Sequence, residues 1–269
     1  MSAIFGILRF DGADVVPRDL ARLQAASAGR GGPAGVSTCW GPIGLGAAID
    51  PLRHVDRHEA QPLHDDAAEL TLVANTRLDD RPALAAALGI EPGDLPTVPD
   101  SALILAAYRK WGEDCAAHLL GDFVFAIWNG RTRRLFIACD HMAQRSVHYH
   151  IGAGFVAFAP TPQALWTLAE VPRTLSDEAI GRRLMHAMDQ RPGETMFPGI
   201  NTLPGGHGLI VDATGAATLS SYWQPAADPA HVGRDEAYYV AAYRRVLGEA
   251  AATAHPRARH WPRANMARQ

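Results

Sequence analysis

The run Leu119-Leu120-Gly121-Asp122-Phe123-Val124-Phe125-Ala126-Ile127-Trp128-Asn129-Gly130-Arg131, continued by Leu135-Phe136-Ile137-Ala138-Cys139-Asp140, carries the reading of the fold. Residues 123–129 and 134–139 are short apolar runs rich in aromatic and β-branched side chains, which is the signature of buried strands, and the Asn-Gly pair between them reads as a hairpin turn. Upstream, residues 100–111 place Leu103, Ile104, Ala107, Tyr108 and Trp111 three and four apart, which predicts an amphipathic helix with Asp100 near its N-terminus. A second helix is expected over 81–88, where Gly89 stands as a C-terminal stop.

Further outward, residues 4–10, 36–40, 43–49 and 69–74 read as strands, and residues 19–28 as a helix closed by the Gly29-Arg30-Gly31-Gly32-Pro33 cluster. Strands follow at 155–158 and 209–211, and Ser176 is an N-cap candidate for a helix over 179–188. Strands and helices are mixed without the regular alternation of a parallel sheet, which places the chain in the α+β class. Residues 1–211 form the expected main domain. Residues 212–234 read as a linker, 235–252 as a helix with Tyr239, Ala242, Tyr243, Val246 and Leu247 on one face, and the Arg-rich end over 253–269 as a disordered tail.

Composition narrows the function classes. A net charge of −3 over 269 residues gives no field that would hold nucleic acid or an anionic membrane, so neither is expected as a partner. Arg9 and Asp11 interrupt the first apolar stretch before it could act as a signal peptide, and no uncharged stretch is long enough to span a bilayer. Cys39, Cys115 and Cys139 are widely spaced and indicate neither a disulfide framework nor a zinc site; a reducing cytoplasm is the expected compartment. His141, His148 and His150 form the one local histidine cluster; such residues more often sit solvated or at a core edge, and no metal site is expected.

Several separated segments resemble the asparagine synthetase family, in order. Ser2-Ala3-Ile4-Phe5-Gly6-Ile7 is similar to its Cys-Gly/Ser-Ile-x-Gly start, and the 119–128 run to its Leu-x-Gly-x-Phe-Ala-Phe-Ala-Leu-Trp stretch. Residues 135–140 with Arg145 and Tyr149 resemble its Leu-Phe-x-Ala-Arg-Asp-x-x-Gly-x-Arg-Pro-Leu-Tyr-Tyr, and Leu203-Pro204-Gly205-Gly206-His207 with Tyr222-Trp223 its later signatures. The resemblance implies a class II glutamine amidotransferase module of the Ntn type, a four-layer αββα sandwich of two antiparallel sheets between helices.

The chemistry implied by that family departs from this sequence at several points. The family nucleophile is a cysteine at residue 2 whose own α-amine acts as base; here it is Ser2, an intrinsically poorer nucleophile at neutral pH. Asn75 matches the asparagine of the family's Asn-Gly-Glu-Ile-Tyr-Asn motif, which helps form the oxyanion hole. The next positions are Thr76 and Arg77, so a cation stands where a carboxylate would meet the α-amino group of glutamine. Asp100 matches the aspartate that binds the same group, although a helix N-terminus explains it without a ligand. Arg53, shifted from the expected spacing, is the candidate for holding the glutamine carboxylate.

These departures imply a degenerate glutaminase domain, resembling in its Ser2 start and in His58-Glu59-Ala60-Gln61-Pro62-Leu63 the lasso peptide cyclase members of the family. The family's Ser-Gly-Gly-x-Asp-Ser loop, which cradles pyrophosphate, is absent. The chain itself is therefore expected to use no cofactor, ATP and Mg belonging to a synthetase part that would follow. Three functions stay open: a glutaminase-like domain without activity of its own, a Ser2-dependent glutaminase or amidase acting on glutamine, and a scaffold that binds a synthetase domain or substrate peptide in trans. Homo-oligomerisation also stays open.

Overall fold

The computed structural model describes residues 2–27, 35–185 and 191–254. The turn expected at 29–33, the end of the helix expected over 179–188 and the tail beyond 254 lie outside the described residues. The chain divides into two compact units, residues 1–224 and 225–269.

The first unit runs β1 (Ala3–Arg9), α1 (Pro17–Ser27), β2 (Val36–Trp40), β3 (Ile43–Ala48), β4 (Leu63–Asp65), β5 (Leu70–Leu78), α2 (Arg81–Leu88), α3 (Asp100–Trp111), β6 (Gly121–Asn129), β7 (Arg134–Cys139), β8 (His148–Ile151), β9 (Phe155–Ala159), α4 (Pro162–Leu165), α5 (Asp177–Leu184), β10 (Asn201–Thr202), β11 (His207–Asp212) and β12 (Ala217–Ser221). The strands form two six-stranded sheets, ordered β10-β8-β9-β1-β3-β2 and β12-β11-β7-β6-β5-β4. Their pairings are antiparallel throughout the described residues.

The period of two along each strand explains the layering. In β6, Val124, Ala126 and Trp128 join a core shared with Ile4, Leu8, Ile43 and Leu45 of the other sheet. Phe123, Phe125 and Ile127 point the opposite way, onto Leu84 of α2 and Leu103, Ile104 and Ala107 of α3. In β1, Phe5 and Ile7 likewise pack on Leu20 and Leu23 of α1 and on Leu165 of α4. Strands buried on both faces must be apolar at every position, which is why the opening run is continuous rather than alternating. The result is the four-layer αββα arrangement, with α1 and α4 outside one sheet and α2 and α3 outside the other. Phe5, Phe123, Phe125 and Phe158 are wholly buried, and truncating one to alanine is expected to cost about 3–5 kcal/mol.

Two glycines are dictated by the backbone. Gly121 has φ +138°, and a Cβ there would lie 2.1 Å from the Arg77 carbonyl oxygen, so the β5–β6 pair can start only at a glycine. Gly206 has φ +68°, and a Cβ would meet the Trp223 carbonyl oxygen at 2.5 Å.

One segment departs from expectation. Residues 212–234 read as a linker, yet β12 pairs with β11 from Ala217↔Val211 to Ser221↔His207. All five residues of β12 are exposed, so it is an edge strand held by its backbone ladder and carries no apolar pattern to read. Tyr222 then donates its hydroxyl to the Cys139 carbonyl at 2.6 Å.

The second unit is described by itself. Asp228 caps the short turn Pro229–His231, and α6 (Glu236–Ala254) follows, with Asp235 Oδ1 accepting from the Tyr238 N–H at 2.8 Å. Tyr239, Tyr243, Val246 and Leu247, the apolar face expected from the sequence, are exposed. Among the described residues no helix is long and apolar enough to cross a membrane.

Candidate functional site

Ser2 precedes β1, which lies at the middle of its sheet between β9 and β3, so residue 2 sits at the end of a buried strand. Asn75 is on β5 of the other sheet. The two sheets meet there: Asn75 Nδ2 donates to the Ser2 carbonyl at 2.8 Å, and Ser2 Oγ accepts from the Asp50 N–H at 2.9 Å, just beyond the end of β3. A cavity of about 280 Å³ opens at this junction, lined by Ser2, Asn75, Thr76, Arg53, Arg77 and, from the β7–β8 connection, Arg145. Asp56, Glu59 and Gln61 line it as well.

The charged residues singled out in the sequence are mutually engaged. Arg53 donates to Asp56 Oδ1 at 2.7 Å and to Asp100 Oδ2 at 2.6 Å. Burial pulls the Arg53 pKa down, but Asp56 and Asp100 outweigh it and leave it above the ordinary value. Asp100, wholly buried at the start of α3, also accepts from the Leu78 N–H at 2.7 Å and pairs with Arg81 at 3.0 Å. Asp100 is not among the cavity-lining residues; Arg53 stands between it and the cavity. Arg77 lines the cavity but divides its guanidinium between Asp79 at 2.7 Å and Asp122 at 3.0 Å.

Arg145 is held differently. The buried Asp140 carboxylate accepts from the N–H groups of Phe123, Met142, Gln144 and Arg145 at 3.2, 3.0, 2.9 and 3.0 Å, which fixes the loop after β7. The Arg145 Nε is shut away from solvent without a hydrogen-bond partner among the described residues, as is the Thr76 hydroxyl.

The histidines serve elsewhere. His148 Nδ1 donates to the Pro160 carbonyl at 3.0 Å and His150 Nδ1 to that of Gly199 at 2.7 Å. Among the described residues no three His, Cys, Asp or Glu side chains gather as metal ligands would. Cys115 and Cys139 are buried, and burial pushes both thiols up to about 12; Cys39 is partly exposed.

A protein-family model described as a glutamine amidotransferase domain matches residues 1–223. The chain belongs to that family. Its curated relatives include the glutamine-hydrolysing asparagine synthetase 3 of Bacillus subtilis, 24% identical over 153 residues, which are 57% of this chain and 25% of that protein. They also include the amidase chyE of Penicillium rubens, 26% identical over 191 residues, 67% of this chain and 26% of that protein. This chain thus spans about a quarter of the length of these relatives. Among solved structures, the glutamine phosphoribosylpyrophosphate amidotransferase of B. subtilis superposes with a TM-score of 0.56 at 14% identity, over 83% of this chain and 50% of that one, and so shares the fold. The amidotransferase fold and the kinship to asparagine synthetases expected from the sequence both stand.

Of the residues expected at the site, Ser2, Asn75, Arg53 and Arg77 meet at one cavity and Asp100 lies directly behind it. The partners of Arg77 could have been found from local geometry: Asp79 is two residues on, just past the end of β5, and Asp122 is its cross-strand neighbour in the β5–β6 register. Asp56 and Glu59 come from one short turn of helix and its C-terminal cap, and Arg145 from the β7–β8 connection, two segments that no local pattern links.

Proposed function

We propose that this chain is a degenerate glutamine amidotransferase domain of an asparagine synthetase-like, ATP-dependent amide-bond-forming protein, and that it does not hydrolyse glutamine by itself. One observation carries this: Arg53 and Asp100, the residues that the family resemblance assigns to the carboxylate and ammonium of glutamine, hold each other at 2.6 Å. A glutamine that used both would have to separate a charge pair with one member wholly buried, at about 3–5 kcal/mol. Two further features support it. Ser2 Oγ is a weak nucleophile already engaged by the Asp50 N–H, and Arg77 brings a cation to the wall where a carboxylate is expected. The relatives extend well beyond the matched segment, so the amide-forming step belongs to a synthetase part joined to this domain or acting in trans. The sequence carries no Ser-Gly-Gly-x-Asp-Ser loop, and no residue of this chain is assigned to ATP or Mg.

The test is glutamate release from glutamine, followed with glutamate dehydrogenase, for the full chain and for Ser2→Ala. Equal, background-level release from both is the expected result. Release that depends on Ser2 would overturn the proposal and establish a Ser2-dependent glutaminase or amidase.

A further inference from the structure

A second cavity, of about 370 Å³, is bordered by Trp40 at the end of β2 and by His64 and Asp65 of β4. It shares no lining residue with the cavity at Ser2: along β5 it takes Leu70 and Thr71, whereas the Ser2 cavity takes residues 74–77. In the strand register His64 faces Thr71 and Thr71 faces Trp128, so these three form one cross-strand row over β4, β5 and β6. His64 Nδ1 and Thr71 Oγ1 are hydrogen-bonded at 3.1 Å. Trp40 comes from the other sheet, meets the His64 ring edge-on with centroids 5.5 Å apart, and stays 38% exposed.

Two demands of this cavity are unmet. Trp128 is only 5% exposed, yet its indole N–H has no acceptor among the described residues; nor is that N–H sealed from solvent, so it opens toward the cavity that Trp128 lines. Buried indole N–H groups ordinarily meet an acceptor. The charge of the lining is also one-signed, with Asp65, Asp66 and Glu69 but no lysine or arginine. Arg109 pairs with Asp65 and Arg131 with Glu69 from outside the lining, which leaves the Asp66 carboxylate without a partner among the described residues.

A cation would complete the rim and a hydrogen-bond acceptor the interior. Guanidinium stacks on tryptophan faces and donates to carboxylates, but it carries no acceptor of its own. A main-chain carbonyl supplies one, so an arginine within a peptide meets both demands where a free guanidinium meets one. A volume of about 370 Å³ lies at the lower end of ligand sites and suits one such residue. We propose that this cavity docks an arginine residue of a peptide segment, its guanidinium resting on Trp40 beside Asp66 and a main-chain carbonyl accepting from the Trp128 indole N–H. The site goes beyond the amidotransferase reading and is independent of it, because the two cavities have no residue in common.

The experiment is titration of the 15N-labelled full chain, whose six tryptophans give six indole N–H signals, assigned through side-chain correlations. The probe is acetyl-Gly-Arg-Gly-amide, which should move the Trp40 and Trp128 signals saturably and leave the others in place. The same peptide with citrulline keeps the shape without the charge and should bind at least about fivefold more weakly. Methylguanidinium, a cation without a carbonyl, should move the Trp40 signal and not that of Trp128. Asp66→Asn, at an exposed side chain with no partner to lose, should weaken the arginine peptide about two- to fivefold. The ligand series needs no variant, so a substitution that fails to fold leaves the test intact. No saturable shift at Trp40 and Trp128, equal binding of the citrulline peptide, or an Asp66→Asn chain that matches the parent overturns the proposal. Glutamate release would overturn the non-hydrolytic reading without touching this one.

Discussion

Asp100→Asn separates a structural carboxylate from a ligand-reading one. In the structure Asp100 is wholly buried and accepts charge-assisted hydrogen bonding from Arg53 at 2.6 Å, contacts Arg81 at 3.0 Å, and accepts the Leu78 N–H at 2.7 Å. The amide oxygen of asparagine would still accept from Leu78, so that bond is largely conserved. Both arginines lose an ionic partner, and the one hydrogen bond among these contacts, from Arg53, is worth about 1.5–3 kcal/mol as a bond between charged groups. Arg53 keeps Asp56, but the partly buried Arg81 guanidinium is left without an ionic partner among the described residues, and the expected total loss is about 3–4 kcal/mol, in the range found for breaking buried ion pairs. Urea unfolding followed by tryptophan fluorescence would register it as a lower midpoint at unchanged slope. For a unit of about 220 residues the same loss corresponds to roughly 6–16 °C in Tm. A change below about 1 kcal/mol would refute the reasoning, because Asp100 would then be held by less than its geometry indicates.

Two further outcomes follow from burial. With the Cys115 and Cys139 thiols pushed up to about 12 and neither exposed, iodoacetamide at pH 7.5 should label Cys39 alone in the folded protein and all three cysteines in urea, as read by peptide mass spectrometry. Burial holds the His148 pKa below its ordinary 6.5, opposed in part by the Pro160 carbonyl. The unfolded chain therefore binds more protons at His148 once the pH falls below about 6.5, and stability must drop as pH falls from there toward the folded-state value. His148→Gln should flatten that segment of the stability–pH curve, and an unchanged slope would assign the dependence to other groups.

Much of the fold was legible because both sheets are buried on two faces. Strands such as β1, β6 and β7 are continuous apolar runs, and α2, α3 and α6 carry their stops or apolar faces in the sequence. The strand β12 was not, since exposed residues held by main-chain hydrogen bonds leave no side-chain pattern. Ser2, Asn75, Arg53, Arg77 and Asp100 could be named as candidates because residue type and order along a chain survive without coordinates. What those residues do there was decided by tertiary structure. The pairing of Arg53 with Asp100 joins residues 47 positions apart, and the pairing of Arg77 with Asp122 joins residues 45 apart. Whether a charge is free for a ligand depends on which opposite charge lies within a few ångströms, and Coulomb attraction follows distance in space, which only the folded sheets define.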